Sequence, residues 1–252
     1  MKNKKADFLE WNINVLVSSI KRIGLEIILV IILDALFYFL SGYFILFWLQ
    51  RIKEKGYSIP LQSPSDLAAI GYDKAYQLLF QFRYLIIFSA ILLLVAIIFI
   101  ASILKGIIWA KTTKTRISLA LISKFLGLNL IWMGFWLLLV SAIFWLVEPA
   151  AVQVFVIAIA ILALYLTNTL YTIFMKRQNL NSIIEAVKLN FAKIHLFLLP
   201  YAAMLSLLYA ISRITNLVKY KYSPVFQALI LLAYIAFARY YASTLAEEAQ
   251  RL

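Results

Sequence analysis

Two acidic side chains stand where acids are expensive. Glu26 and Asp34 lie inside one long apolar run of this 252-residue chain. Ionisable groups in such a run point to a proton or cation relay, or to a buried ion pair. Asp34 lies about eleven residues into the run, roughly 16 Å deep at ~1.5 Å per residue, near a bilayer midplane. Glu26 is ~12 Å away along a helix axis and ~80° around it, so one partner does not serve both. Arg239, in the inner third of the last apolar run, lies at the depth of Glu26. Its long stem predicts a Glu26–Arg239 clamp between the first and last helices. Asp34 is then expected to be neutral and hydrogen-bonded to Ser141, Asn168 or Ser206. The alternative is a relay through Asp34 and Glu26.

Other chemistry is sparse. Cysteine is absent, and His195 is the single histidine. Thiolate and multi-histidine metal sites are therefore excluded, and no metal or cofactor is expected. His195 follows Lys193 at the start of an apolar run and reads as an interfacial side chain. No HExxH, GxSxG, paired DxxD or Walker pattern occurs, so no enzymatic activity is expected. Pro200, inside the same run as His195, predicts a kink.

The elements that hold these residues follow from composition. Apolar residues make up 65% of the chain and charged ones 14%, against roughly 45–50% and ~25% in a soluble domain. Continuous apolar runs predict an all-α polytopic membrane bundle, a single integral membrane domain over residues 1–252. Its six spans are about 23–49, 84–104, 128–147, 150–175, 194–214 and 224–242, with an outer segment at about 50–83. The runs are too long and too continuous for barrel strands. Met1-Lys2-Asn3-Lys4-Lys5 resembles a signal-peptide start, but the run that follows is too long for one and is read as retained.

Sixteen of the 24 Lys and Arg fall on one side of these spans. The positive-inside rule then puts both termini in the cytoplasm of a cell-membrane protein. Tyr43, Trp48, Trp145, Tyr220 and Tyr222 are expected at the outer interface, and Trp11, Trp109, Tyr171, Tyr240 and Tyr241 at the inner one. Glu148-Pro149 predicts a tight hairpin between the third and fourth spans. Ala158, Ala160 and Ala163 suggest close helix contact in the fourth. Ser63-Pro64-Ser65-Asp66 predicts a helix start, continued by Leu67, Ile70, Leu78, Leu79 and Phe82, with Gly71 as a possible break.

Each odd-numbered span follows an amphipathic stretch. Phe8, Trp11 and Val15 share a face of the first, the second covers Ile117–Phe125, and the third opens with a capping box, Ser182 to Glu185. Lys21-Arg22-Ile23-Gly24-Leu25-Glu26 aligns with Lys124-Phe125-Leu126-Gly127-Leu128-Asn129, glycine on glycine. This suggests three repeated hairpins, the alternative being chance similarity of Leu/Ile-rich segments. The architecture resembles prokaryotic six-span membrane-domain families, including the membrane domain fused to bacterial glycerophosphodiester phosphodiesterase. Residues Ser182-Ile183-Ile184-Glu185-Ala186-Val187-Lys188-Leu189-Asn190-Phe191-Ala192-Lys193 are similar to the S-x-x-x-A-x-x-x-N-[apolar]-x-[basic] stretch of those domains. The resemblance implies fold only, since it carries no catalytic residues.

The formal net charge is +13. No basic stretch is long enough for a nucleic-acid arm, so nucleic acid is not an expected partner. The surplus instead suits anionic lipid, with Lys111, Lys114, Arg116, Lys176 and Arg177 as candidate contacts. A membrane-protein partner or a second copy of the chain is the other possible partner. The expectation is a non-enzymatic membrane scaffold or lipid- or partner-interacting protein. The alternative is a small-solute or proton-coupled transporter or channel using Asp34.

Overall fold

The computed structural model describes residues 4–59, 70–217 and 223–252. These form eight α-helices: α1 (Lys4–Arg22), α2 (Glu26–Tyr57), α3 (Tyr72–Thr112), α4 (Leu119–Leu146), α5 (Pro149–Arg177), α6 (Ser182–Ala192), α7 (Ile194–Leu217) and α8 (Ser223–Arg251). No strand occurs among the described residues. All but α1 and α6 are long and apolar enough to cross a membrane, and the fold is an all-α bundle of multi-pass type.

Several boundaries move. The outer segment is shorter than its expected 50–83, because α2 runs on to Tyr57 and α3 begins at Tyr72. The Ser63-Pro64-Ser65-Asp66 helix start lies outside the described residues. Gly71 stands just before α3 with φ +82, a backbone that suits a residue lacking Cβ. At 41 residues, α3 is ~62 Å long at ~1.5 Å per residue, about twice a bilayer core. It therefore continues through Lys105, just beyond the expected end of the second span at about 104, to Thr112.

Local chemistry explains the other joints. Ser118 has extended backbone and its Oγ accepts from the Leu121 amide at 3.1 Å, capping α4. The expected second amphipathic helix, Ile117–Phe125, is consequently no separate element but the first turns of α4. Pro149 opens α5 directly after Glu148, giving the expected tight hairpin. The capping box at Ser182 is not formed. Ser182 Oγ contacts Asn179 Oδ1 at 3.3 Å, and the Glu185 carboxylate turns to Arg177 at 2.6 Å. The two aligned glycines also differ. Gly24 lies in the break between α1 and α2, whereas Gly127 lies within unbroken α4. The structure thus has two separate lead-in helices, α1 and α6. Pro200 is accommodated inside α7.

The chain divides by packing into two units, residues 36–101 and the remainder. Within 36–101, the later part of α2 and the earlier part of α3 are tied by Trp48 Nε1, which donates to Ser89 Oγ at 3.0 Å. In the larger unit the core gathers Trp109, Phe125, Leu128, Trp132, Leu170 and Phe174, with Tyr171 edge-on to Phe125 at 4.8 Å. A second cluster seats Val15 of α1 against Leu196 and Phe197 of α7 and Tyr241 and Leu245 of α8, with Phe8 and Trp11 alongside. The face proposed for α1 is therefore its packing face.

Burial is uneven along these helices. In α5 the buried residues run only from Leu166 to Met175, while Val154 is 68% exposed. Ala158 and Ala160 are exposed too, so they make no close helix contact. Apolar surface of that extent is what a hydrocarbon environment accepts and water does not. Four of the five residues assigned to an inner aromatic belt, Trp109, Tyr171, Tyr240 and Tyr241, are instead buried in the core.

Candidate functional site

Helix packing brings three charged residues together inside the larger unit. Val30, Ile108 and Ala236 form one small buried cluster from α2, α3 and α8. About one turn away on each helix lie Asp34, Lys105 and Arg239. Asp34 is fully buried and accepts from both cations. Lys105 Nζ lies 2.5 Å from Asp34 Oδ1. Arg239 meets the same carboxylate as a fork, Nη1 to Oδ2 at 2.8 Å and Nη2 to Oδ1 at 3.1 Å. The guanidinium also lies 5.8 Å from the centroid of the Trp109 ring, a cation–π distance.

This arrangement overturns the expected pairing. Arg239 belongs to Asp34 and not to Glu26, which pairs with Lys111 at 3.4 Å. The reason is side-chain direction. Glu26 lies within electrostatic reach of Tyr240 and Val30 clusters with Ala236, so α2 and α8 run antiparallel. A helical side chain leans toward its own helix's N-terminus. The Arg239 stem therefore reaches away from Glu26 and toward Asp34. Ser141 and Ser206 are exposed, and Asn168 donates to the Tyr201 hydroxyl, so none of the three serves Asp34. Lys105 was missed as a partner. The apolar residues Gly106–Ala110 after it are the signal that its helix continues.

A second polar chain runs beside the triad. Tyr171 OH donates to Asn129 Oδ1 at 2.6 Å, and Asn129 Nδ2 donates to Ser102 Oγ at 2.9 Å. It joins α5, α4 and α3 through buried groups whose bonding needs are met. Neither network places a nucleophile against a base.

No family model, curated protein or solved structure matches this chain. Its own geometry must then carry the functional reading.

The other concentration of charge is an open cleft of about 480 Å³ where the α1–α2 break meets the α3–α4 turn. Arg22, Lys111, Lys114 and Arg116 line it, with Glu26, Gly24, Ala110 and Thr115. Three of the five proposed lipid contacts, Lys111, Lys114 and Arg116, are thus brought together, and Arg22 joins them. Lys176 and Arg177 are not part of the cleft. Lys176 pairs with Glu247 at 3.1 Å and Arg177 with Glu185 at 2.6 Å. Arg22 was overlooked because its membership depends on the chain break at Gly24. His195 is exposed and lines none of these places. Among the described residues no group of His, Cys, Asp and Glu is arranged to hold a metal ion.

Proposed function

We propose that this multi-pass protein is a non-enzymatic membrane scaffold that holds anionic lipid at its basic end. The observation that carries the proposal is the cleft, where four cations face the single carboxylate of Glu26. Cations at a membrane surface attract anionic head groups by about 1 kcal/mol each. The positive-inside rule supports placing this end, with both termini, in the cytoplasm. Exposed apolar side chains along the spans suit a lipid surround, and their extent also leaves room for a membrane partner.

Native mass spectrometry of the detergent-purified chain tests the proposal. Bound anionic lipid is expected on the wild type and should be lost from the Lys111→Gln/Lys114→Gln/Arg116→Gln variant. A wild type carrying no anionic lipid would refute it. Orientation is checked by single cysteines in the cysteine-free background. Asn179→Cys should label only from the cytoplasmic side and Ser58→Cys only from the outside.

A transporter or channel using Asp34 is the rival. The buried charges of the triad favour it, but both oxygens of Asp34 are already occupied by Arg239 and Lys105. A carboxylate so held suits a fixed strut better than a group that must release its partners. Proton or cation flux in liposomes that depends on Asp34 would reverse this ranking.

A further inference from the structure

The turn that closes α3 contains an unusual residue. Thr115 N donates to Ala110 O at 2.8 Å and Lys114 N donates to Lys111 O at 3.2 Å. That pair of bonds is the Schellman ending of a helix, and its left-handed position is normally glycine. Here Lys114 occupies it, with φ 56. A Cβ is disfavoured in that conformation, so the chain accepts backbone strain to keep a lysine there. Attraction to the negative end of α3 accounts for a cation near the helix end. It does not account for one at the glycine position, since Lys111 already stands in the last turn.

The strain becomes intelligible when the cleft is considered as a whole. Arg22 is committed to Glu247 at 3.0 Å, and Lys111 to Glu26 at the longer distance of 3.4 Å. Among the described residues, neither Lys114 nor Arg116 is ion-paired with a carboxylate. Both line the cleft beside Lys111. Two uncompensated cations, one an ammonium and one a guanidinium fork, match a group of nearly two negative charges and three terminal oxygens. A phosphodiester carries only one charge and would leave one cation unanswered.

We infer that the cleft of Arg22, Lys111, Lys114 and Arg116 is a phosphomonoester site, taking the terminal phosphate of a lipid such as phosphatidic acid. This rests on the anionic-lipid reading above and narrows it to one head-group chemistry. Lys114 and Arg116 supply the charge, and Lys111 turns from Glu26 to the phosphate when the site is filled. Glu26, about half exposed, is then released to water at small cost.

The test titrates the full-length detergent-purified chain with phosphatidic acid, with phosphatidylglycerol and with inorganic phosphate, each read by native mass spectrometry. Phosphatidic acid should bind at least tenfold more tightly than phosphatidylglycerol. Lys114→Gly should abolish that preference while the midpoint of thermal unfolding holds or rises, because glycine relieves the strain as it removes the charge. Arg116→Gln should weaken phosphatidic acid binding without the gain in stability. Competition by inorganic phosphate at concentrations similar to the lipid would keep the phosphomonoester chemistry and assign the site to a soluble phosphate. Equal affinity for both lipids would overturn the inference and leave the anionic-lipid proposal intact. Binding of neither lipid would overturn both. Unchanged preference in a folded Lys114→Gly chain would also overturn it.

Discussion

Replacing Asp34 with Asn tests the buried triad directly. Asp34 accepts three charge-assisted contacts, from Lys105 at 2.5 Å and from Arg239 at 2.8 and 3.1 Å. Asparagine preserves size and keeps one carbonyl oxygen, but its amide nitrogen points a donor at donors. Two cations would then share a pocket with no counter-charge, one of them only 7% exposed. Removing one partner of a buried ion pair typically costs about 3–5 kcal/mol. The second cation puts the expected loss at the upper part of that interval. At roughly 2–4 °C per kcal/mol for a chain of this size, the unfolding midpoint should fall by about 10–15 °C. Lys105→Met offers a contrast, because the Asp34–Arg239 fork survives it. Its loss should stay at about 1.5–3 kcal/mol, the size of one hydrogen bond to a charged group. Differential scanning fluorimetry in detergent or lipid nanodiscs gives both midpoints. The clamp account fails if Asp34→Asn unfolds within about 2 °C of wild type, or if Lys105→Met is the more damaging change.

Glu26→Gln should be nearly silent, within about 0.5 kcal/mol, since the Glu26–Lys111 pair is long and open to solvent; chemical denaturation of that variant measures it. Ser118→Ala removes the cap of α4 and should cost about 1 kcal/mol, read as a lowered unfolding midpoint. Lys114→Gly should gain about 1 kcal/mol by relieving the left-handed backbone, visible as a rise of a few degrees in the same assay.

The triad and the cleft make different demands on the fold. The triad needs α2, α3 and α8 held in register, and the Val30–Ile108–Ala236 cluster supplies that register. The cleft needs two chain breaks placed side by side, one after Arg22 and one after Thr112. Lys111 stands within two turns of Lys105 on α3, so the same helix serves both. An Asp34 variant that disturbs α3 is therefore expected to weaken the cleft as well, whereas cleft variants should leave the triad intact.

Much of this protein was already determined by its sequence, wherever the deciding physics is local. Apolar runs longer than a bilayer core can only be spanning helices in an all-α bundle, because backbone groups in hydrocarbon must bond within their own segment. Glu148-Pro149 had to be a short hairpin, since proline starts a helix as readily as it prevents continuation. The packing face of α1 was legible in Phe8, Trp11 and Val15, because helical periodicity is written in consecutive residues. Tertiary structure decided the rest. The partner of Asp34 lies 205 positions away and depends on the antiparallel register of α2 and α8 and on the lean of the Arg239 stem, neither of which spacing along one helix encodes. The aromatic residues near the basic ends looked like an interface belt, but the helices converge there and bury them. Ser182 and Glu185 have a capping pattern, yet Arg177 at the end of α5 competes for the acid and wins. The cleft joins residues 22 and 26 with residues 110–116. No local pattern brings those together, because the site exists only where the α1–α2 break meets the α3–α4 turn.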